Sequence, residues 1–426
     1  MNPVSPTFAQ ALRFWWKLGW ISFGGPAGQI ALMHSELVER RRWVDEGAFL
    51  HGLNYCMLLP GPEAMQLATY LGWRLHGLRG GIAAGALFVL PGALLIALLS
   101  WLYVRYGTLP AVAGVLLGLQ AAVLGIIAHA VARIGRRVLK TPFAFAVALA
   151  ALFAVAVLSL PFPAIVVGAG LLGLAAGRWR RDWLPQDTAH AGLPPVPATQ
   201  DARRGWALRV ALACLLLWWL PLLALGGWLG AGSTAFAQAL FFSKAALITF
   251  GGAYAVLPYV AQQAVQTQQW LTAEQMLVGL GLAETTPGPL ILVLEFVGFV
   301  GGWQQPDFAS PLAAALLGAA VTLWATFLPC FLFVLPAAPW IERLRDWPLA
   351  SAALGGITAA VVGVIANLAL WFGWHLFAAN GIGRQALIAT LALATLGALV
   401  RGRSVLWLVP ACAAIGALAG VWLPGG

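Results

Sequence analysis

Apolar residues along this chain fall into long runs without two-residue alternation, the pattern of helices in lipid rather than of strands. Runs of about 18 to 25 residues, the length a helix needs to cross a bilayer, predict helices near 80–105, 109–132, 142–160 and 161–178. The second half predicts others near 207–229, 309–338, 350–376, 384–400 and 404–423. Four further runs, near 8–33, 47–73, 235–260 and 274–302, are each interrupted by glycine or proline. A polar stretch from Arg178 to Trp206, RWRRDWLPQDTAHAGLPPVPATQDARRGW, reads as a linker outside the bilayer. The expected organisation is a first unit over 1–178, a linker over 179–206 and a second unit over 207–426.

The interruptions repeat. Phe14–Pro62 slides onto Phe241–Pro289 at a constant offset of 227 residues, without a gap. Lys17 falls on Lys244, Phe23-Gly24-Gly25 on Phe250-Gly251-Gly252, Trp43 on Trp270, and Pro60-Gly61-Pro62 on Pro287-Gly288-Pro289. Identities gather at the helix breakers, which composition alone would not align. Loops holding Arg40 to Arg42, Arg74 with Arg79, Arg133 to Lys140, and Arg178 to Arg181 are expected on the cytoplasmic side. Arg40 to Arg42 and Arg74 share a side only if the PGP segment enters the membrane and turns back; the alternative is one exception to the charge rule. Five expected spans between Arg79 and Ala235, an odd number, set the second copy upside down. The expected fold class is an all-α polytopic membrane protein with two homologous, inverted repeats and broken or re-entrant helices.

A break in lipid needs a reason, because freed backbone groups find no water there. Proline gives no amide hydrogen and restrains the residue before it, while glycine takes angles others resist. In NYCMLLPGPEAMQ a helix is expected to end near Leu59 and another to start at Pro62. The new start would turn free amides and a positive dipole end toward an anion. Pro60, Gly61, Pro62, Pro287, Gly288 and Pro289 are therefore candidate substrate contacts, against the alternative of kinks that serve packing. Gly24, Gly25, Gly251 and Gly252 offer backbone amides, and Ser22 and Thr249 offer hydroxyls; close helix packing is the alternative. Lys17 and Lys244 either draw an anion to the breaks or snorkel to the interface. Asn54, Gln66, Thr285 and Thr286 are uncharged candidates for oxyanion contact. Glu63, Glu284 and Glu295 flank the PGP elements and are candidates for proton coupling, with His51 and His129 as relay members or hydrogen-bonded core histidines. The loop ELVERRRWVDEGAF, Glu36 to Phe49, reads as an amphipathic turn along the headgroups, or as an anion funnel.

Composition narrows the class. The 426 residues are 61% hydrophobic and 9% charged, too few charges for a soluble surface. Twenty-one tryptophans suit the two water–lipid boundaries. The net charge of +10 falls mostly in loops, so it speaks to orientation and not to a nucleic-acid partner. Cys56, Cys214, Cys330 and Cys412 are scattered without a CxxC pair, so neither a metal site nor a disulfide framework is expected. No HExxH, GxSxG or Walker-type sequence occurs, and no cofactor is expected. The N-terminus lacks a cleavable-signal pattern, so insertion through uncleaved helices is expected. The charged loops lack the clustered nucleophile, acid and base of a membrane enzyme acting on a lipid phosphate, and a scaffold would not need duplicated breaks.

The stretches SFGGPAGQIALMHSELVERRRW, LNYCMLLPGPEAMQLATYLGW and ITFGGAYAVLPYV with AETTPGPLILVLEFVGF resemble the chromate ion transporter family, long-chain two-domain type. The resemblance covers both repeats, about half the chain directly. It implies a secondary transporter that exports chromate, a tetrahedral dianion, with protons as the coupling ion. It also implies a multi-pass protein of the bacterial inner membrane that confers chromate resistance, with a homodimer allowed for. Under the resemblance the family's signature maps to Gly24, Gly25, Pro26, Glu36, Arg41, Arg42, Trp43, Pro60, Gly61, Pro62 and Gln66. In the second copy it maps to Gly251, Gly252, Pro287, Gly288 and Pro289. One departure is visible: many members carry Ala-His soon after the first GGP, whereas here Ala27 is followed by Gly28-Gln29, with His34 further on. A sulfate or other oxyanion carrier, working inward or outward, is the alternative, since sulfate shares the charge and shape of chromate.

Overall fold

The structure of the chain, a computed structural model, describes residues 6–23, 25–179, 204–343 and 348–422. Gly24 and most of the expected linker lie outside the described residues. Sixteen α-helices and no strand occur among the described residues. The first half holds α1 (Phe8–Ile21), α2 (Gly25–His34), α3 (Glu46–Leu58), α4 (Glu63–Tyr106), α5 (Pro110–Val138), α6 (Pro142–Ala156) and α7 (Phe162–Trp179). After α8 (Arg204–Leu229) come α9 (Thr234–Ile248), α10 (Ala253–Ala261), α11 (Ala273–Thr285), α12 (Val293–Gln304), α13 (Pro311–Val334), α14 (Pro348–Ala378), α15 (Ile382–Val400) and α16 (Val405–Trp422). Six of these helices are long and apolar enough to cross a membrane. The protein is a multi-pass helical membrane protein.

The repeat seen in sequence is also a repeat of backbone. Single π-helical turns occupy Ser35–Arg40 and Gln262–Thr267, 227 residues apart. Left-handed residues recur at the same offset: Arg42 and Gln269 at φ 55° and 53°, and Gly61 and Gly288 at 119° and 100°. Two capping devices fix where the first legs of each half begin. Thr7 accepts from the Gln10 amide to start α1, and Ser233 caps α9 in the same way.

All four interrupted runs are hairpins that enter and return on one side. The Asp45 side chain caps α3 and also pairs with Arg74 at 3.2 Å, so the bases of α3 and the first part of α4 meet. Between them, about 20 Å of helix leads in and about 20 Å leads back at 1.5 Å per residue, with Pro60-Gly61-Pro62 as the tip. In the second half Gln304 bonds Gln275 at 2.9 Å, closing α11 and α12 around Pro287-Gly288-Pro289. Gln305 reaches the Gln268 carbonyl at 3.1 Å, and Asp307 accepts from the Thr234 and Ala235 amides at 2.8 Å each. The first and second hairpins of each half therefore share their own base plane.

Helix α4 measures the distance between these planes. It breaks at His76 and Gly77, where φ reaches 60° and the hairpin of α3 and the first part of α4 ends. Its second part then runs past the second PGP tip at Gly92 and places Tyr103 against Phe296, ring centres 5.4 Å apart. Arg74 and Asp45 thus lie where the second part of α4 begins, and the second half's hairpin bases lie where it ends. The halves also interlock through their later helices: α5 packs on α15 and α16, and α14 on α6 and α7. Helix α11 lies along α5, whereas its counterpart α3 meets α14 only lightly.

Boundaries expected from sequence hold with few differences. Pro62 caps α4 from outside, and the first helical residue is Glu63. Helix α5 continues to Val138, so Arg133, Arg136 and Arg137, expected in a loop, stand on a helix face.

Candidate functional site

The four tips meet, and they meet crosswise. The Gly61 amide donates to the Thr249 carbonyl at 2.7 Å, and the Gly288 amide donates to the Ser22 carbonyl at 2.9 Å. Each PGP turn therefore fills the orphan carbonyl left where the other half's FGG helix ends. Gln29, fully buried, adds a clamp at one crossing: its Nε2 donates to the Ser22 carbonyl at 3.1 Å and to the Gly288 carbonyl at 2.6 Å. Gln66 Nε2 donates to the Pro60 carbonyl at 2.7 Å, bracing the first PGP turn from within.

This arrangement corrects several expectations. The Gly61 and Gly288 amides are already bonded, so they do not face a passenger in this conformation. The Ser22 and Thr249 hydroxyls are spent on the Leu18 and Ala245 carbonyls, 2.6 Å each, one turn back in their own helices. Thr285 and Thr286 likewise donate to carbonyls of α11. The physical reason is common to all four: at a helix end within lipid no next amide arrives, and a hydroxyl side chain closes the last turn. Lys17 and Lys244 stand exposed on the outward faces of α1 and α9, away from the tips. Their outward placement matches the snorkelling alternative. Asn54 is half-buried on α3. Glu295 is buried in α12 with Oε2 unpartnered, and it belongs to the packing of α12 rather than to an open break.

The polar chemistry gathers instead at the second FGG break. Pro287, Gly288 and Pro289 are buried, but Gly251 is exposed and Gly252 half-exposed, at φ 81° and 91°. Two residues on, the Tyr254 hydroxyl donates to Glu284 Oε1, which joins the FGG break to the last turn of α11. Arg133 of α5 lies close enough for its charge to act on both Tyr254 and Glu284. Arg137, one turn further, acts on Glu63 at the first PGP tip. Arg133 and Arg136 also act on His129. Arg133, Arg136 and Arg137 are exposed, and among the described residues no ion pair engages them. An open break with a carboxyl–phenol pair beside it, and the Arg133 charge acting on that pair, can hold an anion and exchange a proton. The positions equivalent to Tyr254 and Glu284 in the first half are Ala27 and Met57, so the pair is present once.

Sequence reading named Glu63 and Glu284 but missed Arg133, Arg137, Tyr254 and Gln29. The arginines were legible only as loop charges, because the apolar run ends near 132 while α5 continues as helix to Val138. Gln29 and Tyr254 carry no repeat partner that would flag them. His51 keeps a buried Nε2 without a partner and stands on α3. Two clefts of ≈210 Å³ and ≈270 Å³ are lined by other residues, the first by Gln262, Asn367 and Trp371, the second by Gln120, Glu274 and Arg384.

The charged turn before α3 forms its own cluster. Glu36 accepts from Arg40 at 2.8 Å and from Arg41 at 3.3 Å. Partial burial pushes its carboxyl upward, but the two guanidinium groups prevail and hold it below the usual value. Arg41 in turn lies over the Phe14 and Trp43 rings, 5.0 and 4.9 Å from their centres. Thus Glu36, Arg41 and Trp43 tie the π-helical turn after α2 to α1.

Fold and site together define a membrane transporter class: paired hairpins broken at the centre, with a polar constellation at one break. The family model described as Chromate transporter matches residues 9–174 and 236–417, and the chain belongs to that family. It is 32% identical over 368 residues to the chromate transport protein of Cupriavidus metallidurans, covering 85% of this chain and 82% of that protein. It is 34% identical over 377 residues to the chromate transport protein of Pseudomonas aeruginosa, covering 85% and 80%. A probable chromate transport protein of Synechococcus elongatus is 31% identical over 375 residues, covering 87% and 86%. No solved structure matches the chain.

Proposed function

We propose that this protein exports chromate from the cytoplasm across the bacterial inner membrane, by alternating access of two inverted repeats coupled to protons, and so gives chromate resistance. The observation that carries the reading is the open second FGG break, where Arg133, Tyr254 and Glu284 converge. A dianion entering past Arg136 and Arg137 would be drawn to Arg133, beside the unshielded amides of Gly251 and Gly252. The dianion and an ionised Glu284 compete for the same guanidinium, which links anion loading to a proton on the carboxyl. The inverted arrangement is supported by the two hairpin base planes at opposite ends of the second part of α4. In a transporter of this plan the site lies where the repeats cross, as the tips do here. The units 1–178 and 207–426, joined by 179–206, are the proposed repeats.

The test is uptake of labelled chromate into inside-out vesicles, with sulfate as competitor and an uncoupler added in a parallel arm. Chromate accumulation that collapses with uncoupler and falls with Arg133→Gln is the expected result. Accumulation of sulfate but not chromate would reassign the substrate. Accumulation indifferent to the uncoupler would remove the proton.

A further inference from the structure

We propose that the outward face of α1 binds the headgroup phosphate of an anionic phospholipid. Arg13, Trp16, Lys17 and Trp20 form this face, at helical spacing, and all four are exposed. The opposite face, Ala11, Phe14, Trp15 and Leu18, is buried against the core. The Trp16 and Trp20 rings meet edge to face with centres 5.8 Å apart. Among the described residues no acidic side chain pairs with Arg13 or Lys17.

Position decides what can cover two unpaired cations. The start of α1 lies beside His76, whose Nε2 is 3.0 Å from the Pro6 carbonyl, at the base plane that carries Arg74. From Phe8, Arg13 is roughly 8 Å and Lys17 roughly 14 Å along the axis at 1.5 Å per residue. Those depths span the headgroup layer and the boundary with the acyl chains, where tryptophan settles and long cationic side chains reach outward. With one turn between them, the guanidinium and the ammonium can reach a single phosphate, and Trp16, Trp20 and Ile21 offer apolar surface to its chains. A lipid with net negative charge is favoured over a zwitterionic one, because its headgroup brings no ammonium of its own. The second half lacks this comb. The equivalent residues are Leu240, Ser243, Lys244 and Leu247, leaving a lone lysine. The face also has a mechanical consequence, since α1 ends at Ser22, whose carbonyl holds Gly288.

The test uses the full-length protein in mixed micelles, titrated with brominated phosphatidylglycerol or brominated phosphatidylcholine while tryptophan fluorescence is followed. Wild-type protein should be quenched at a lower fraction of the anionic lipid. Arg13→Gln with Lys17→Gln should reduce that preference by roughly tenfold, as two basic side chains each contributing a few-fold imply. Lys244→Gln should leave it unchanged, and Trp16→Phe with Trp20→Phe should remove the preferential component of the quenching. An unchanged preference in the Arg13/Lys17 double variant overturns the proposal. So does a double variant that keeps the preference but loses a dimer, which would assign the face to a second copy of the chain.

Discussion

The Gly61 amide and the Thr249 carbonyl, 2.7 Å apart, join a turn in one half of the protein to a helix end in the other. The mirrored bond, Gly288 to Ser22 at 2.9 Å, makes the contact reciprocal. Each half therefore supplies a backbone amide to the other's break. The FGG helix of each half ends on a carbonyl with no next amide of its own helix, and the PGP turn of the other half brings a glycine amide to it. Both glycines hold left-handed φ, so a Cβ at either is strained before any contact is counted.

Replacing either glycine by alanine tests the lock. A left-handed non-glycine residue costs about 1–2 kcal/mol, and the new Cβ of Gly61→Ala would sit 2.9 Å from Gln66 Nε2 and 3.1 Å from Cys330 Sγ. In Gly288→Ala it would sit 3.0 Å from a Leu292 methyl. Both variants should lower the thermal midpoint in detergent by several degrees and depress chromate transport more than they depress insertion. Midpoints equal to wild type in both would mean that the crossing contributes nothing to the fold.

Gln29 offers a sharper measurement, because it clamps only one of the two crossings. Its amide is fully buried and bonds carbonyls from both halves. Gln29→Leu leaves the Gly288 carbonyl without that donor, at about 1–3 kcal/mol for a buried group left unsatisfied. Gln66→Leu should cost less, since Gln66 braces a carbonyl of its own hairpin. The expected order of thermal midpoints is wild type, then Gln66→Leu, then Gln29→Leu. A reversed order would place the weight on the first PGP turn and not on the crossing.

How much of this was legible in the sequence follows from where each interaction is encoded. The breaks, their pairing and the re-entrant path were legible because Pro and Gly act locally and recur at one offset, from Phe23 and Phe250 to Pro62 and Pro289. The use of the freed groups was not. Ser22 and Thr249 read as donors to a ligand, yet each hydroxyl closes its own helix, and the carbonyl beside it takes the cross-repeat bond. That outcome depends on contacts between residues more than two hundred positions apart, which no local pattern carries. Lys17 reads equally well as inward or outward until α1 packs on α4, with Gly19 against Leu87 and Pro91 and with Phe14, Trp15 and Leu18 buried. Arg133 reads as a loop charge until α5 is seen to run on beside α11.

Acid should weaken the turn that follows α2. Glu36 is held below its usual range by Arg40 and Arg41, so the stability it contributes is complete above the ordinary carboxylate value and is lost as pH falls through the lowered one. The wild-type thermal midpoint should therefore hold down to about pH 5 and decline as pH drops from there to about 3, since an unperturbed glutamate titrates at about 4.3. Glu36→Gln should start lower at neutral pH and decline less over the same interval. Parallel curves for the two proteins would show that other carboxylates govern the acid limb.

The open break makes separable predictions for binding and coupling. Arg133 is the cation nearest the Tyr254–Glu284 pair in its effect, and a hydrogen bond to a charged group is worth about 1.5–3 kcal/mol. Arg133→Gln should therefore weaken half-saturation by chromate by roughly ten- to a hundredfold. Glu284→Gln keeps the acceptor for the Tyr254 hydroxyl but cannot ionise. It should abolish accumulation driven by a pH gradient while sparing chromate–chromate exchange, which moves no net proton. Tyr254→Phe leaves Glu284 ionisable and should shift the pH at which accumulation is half-maximal without abolishing it. If Glu284→Gln stops exchange as completely as accumulation, the carboxyl serves the binding or opening of the site rather than the proton. If all three variants accumulate chromate as the wild type does, the passenger crosses elsewhere, and the second FGG break is a packing feature.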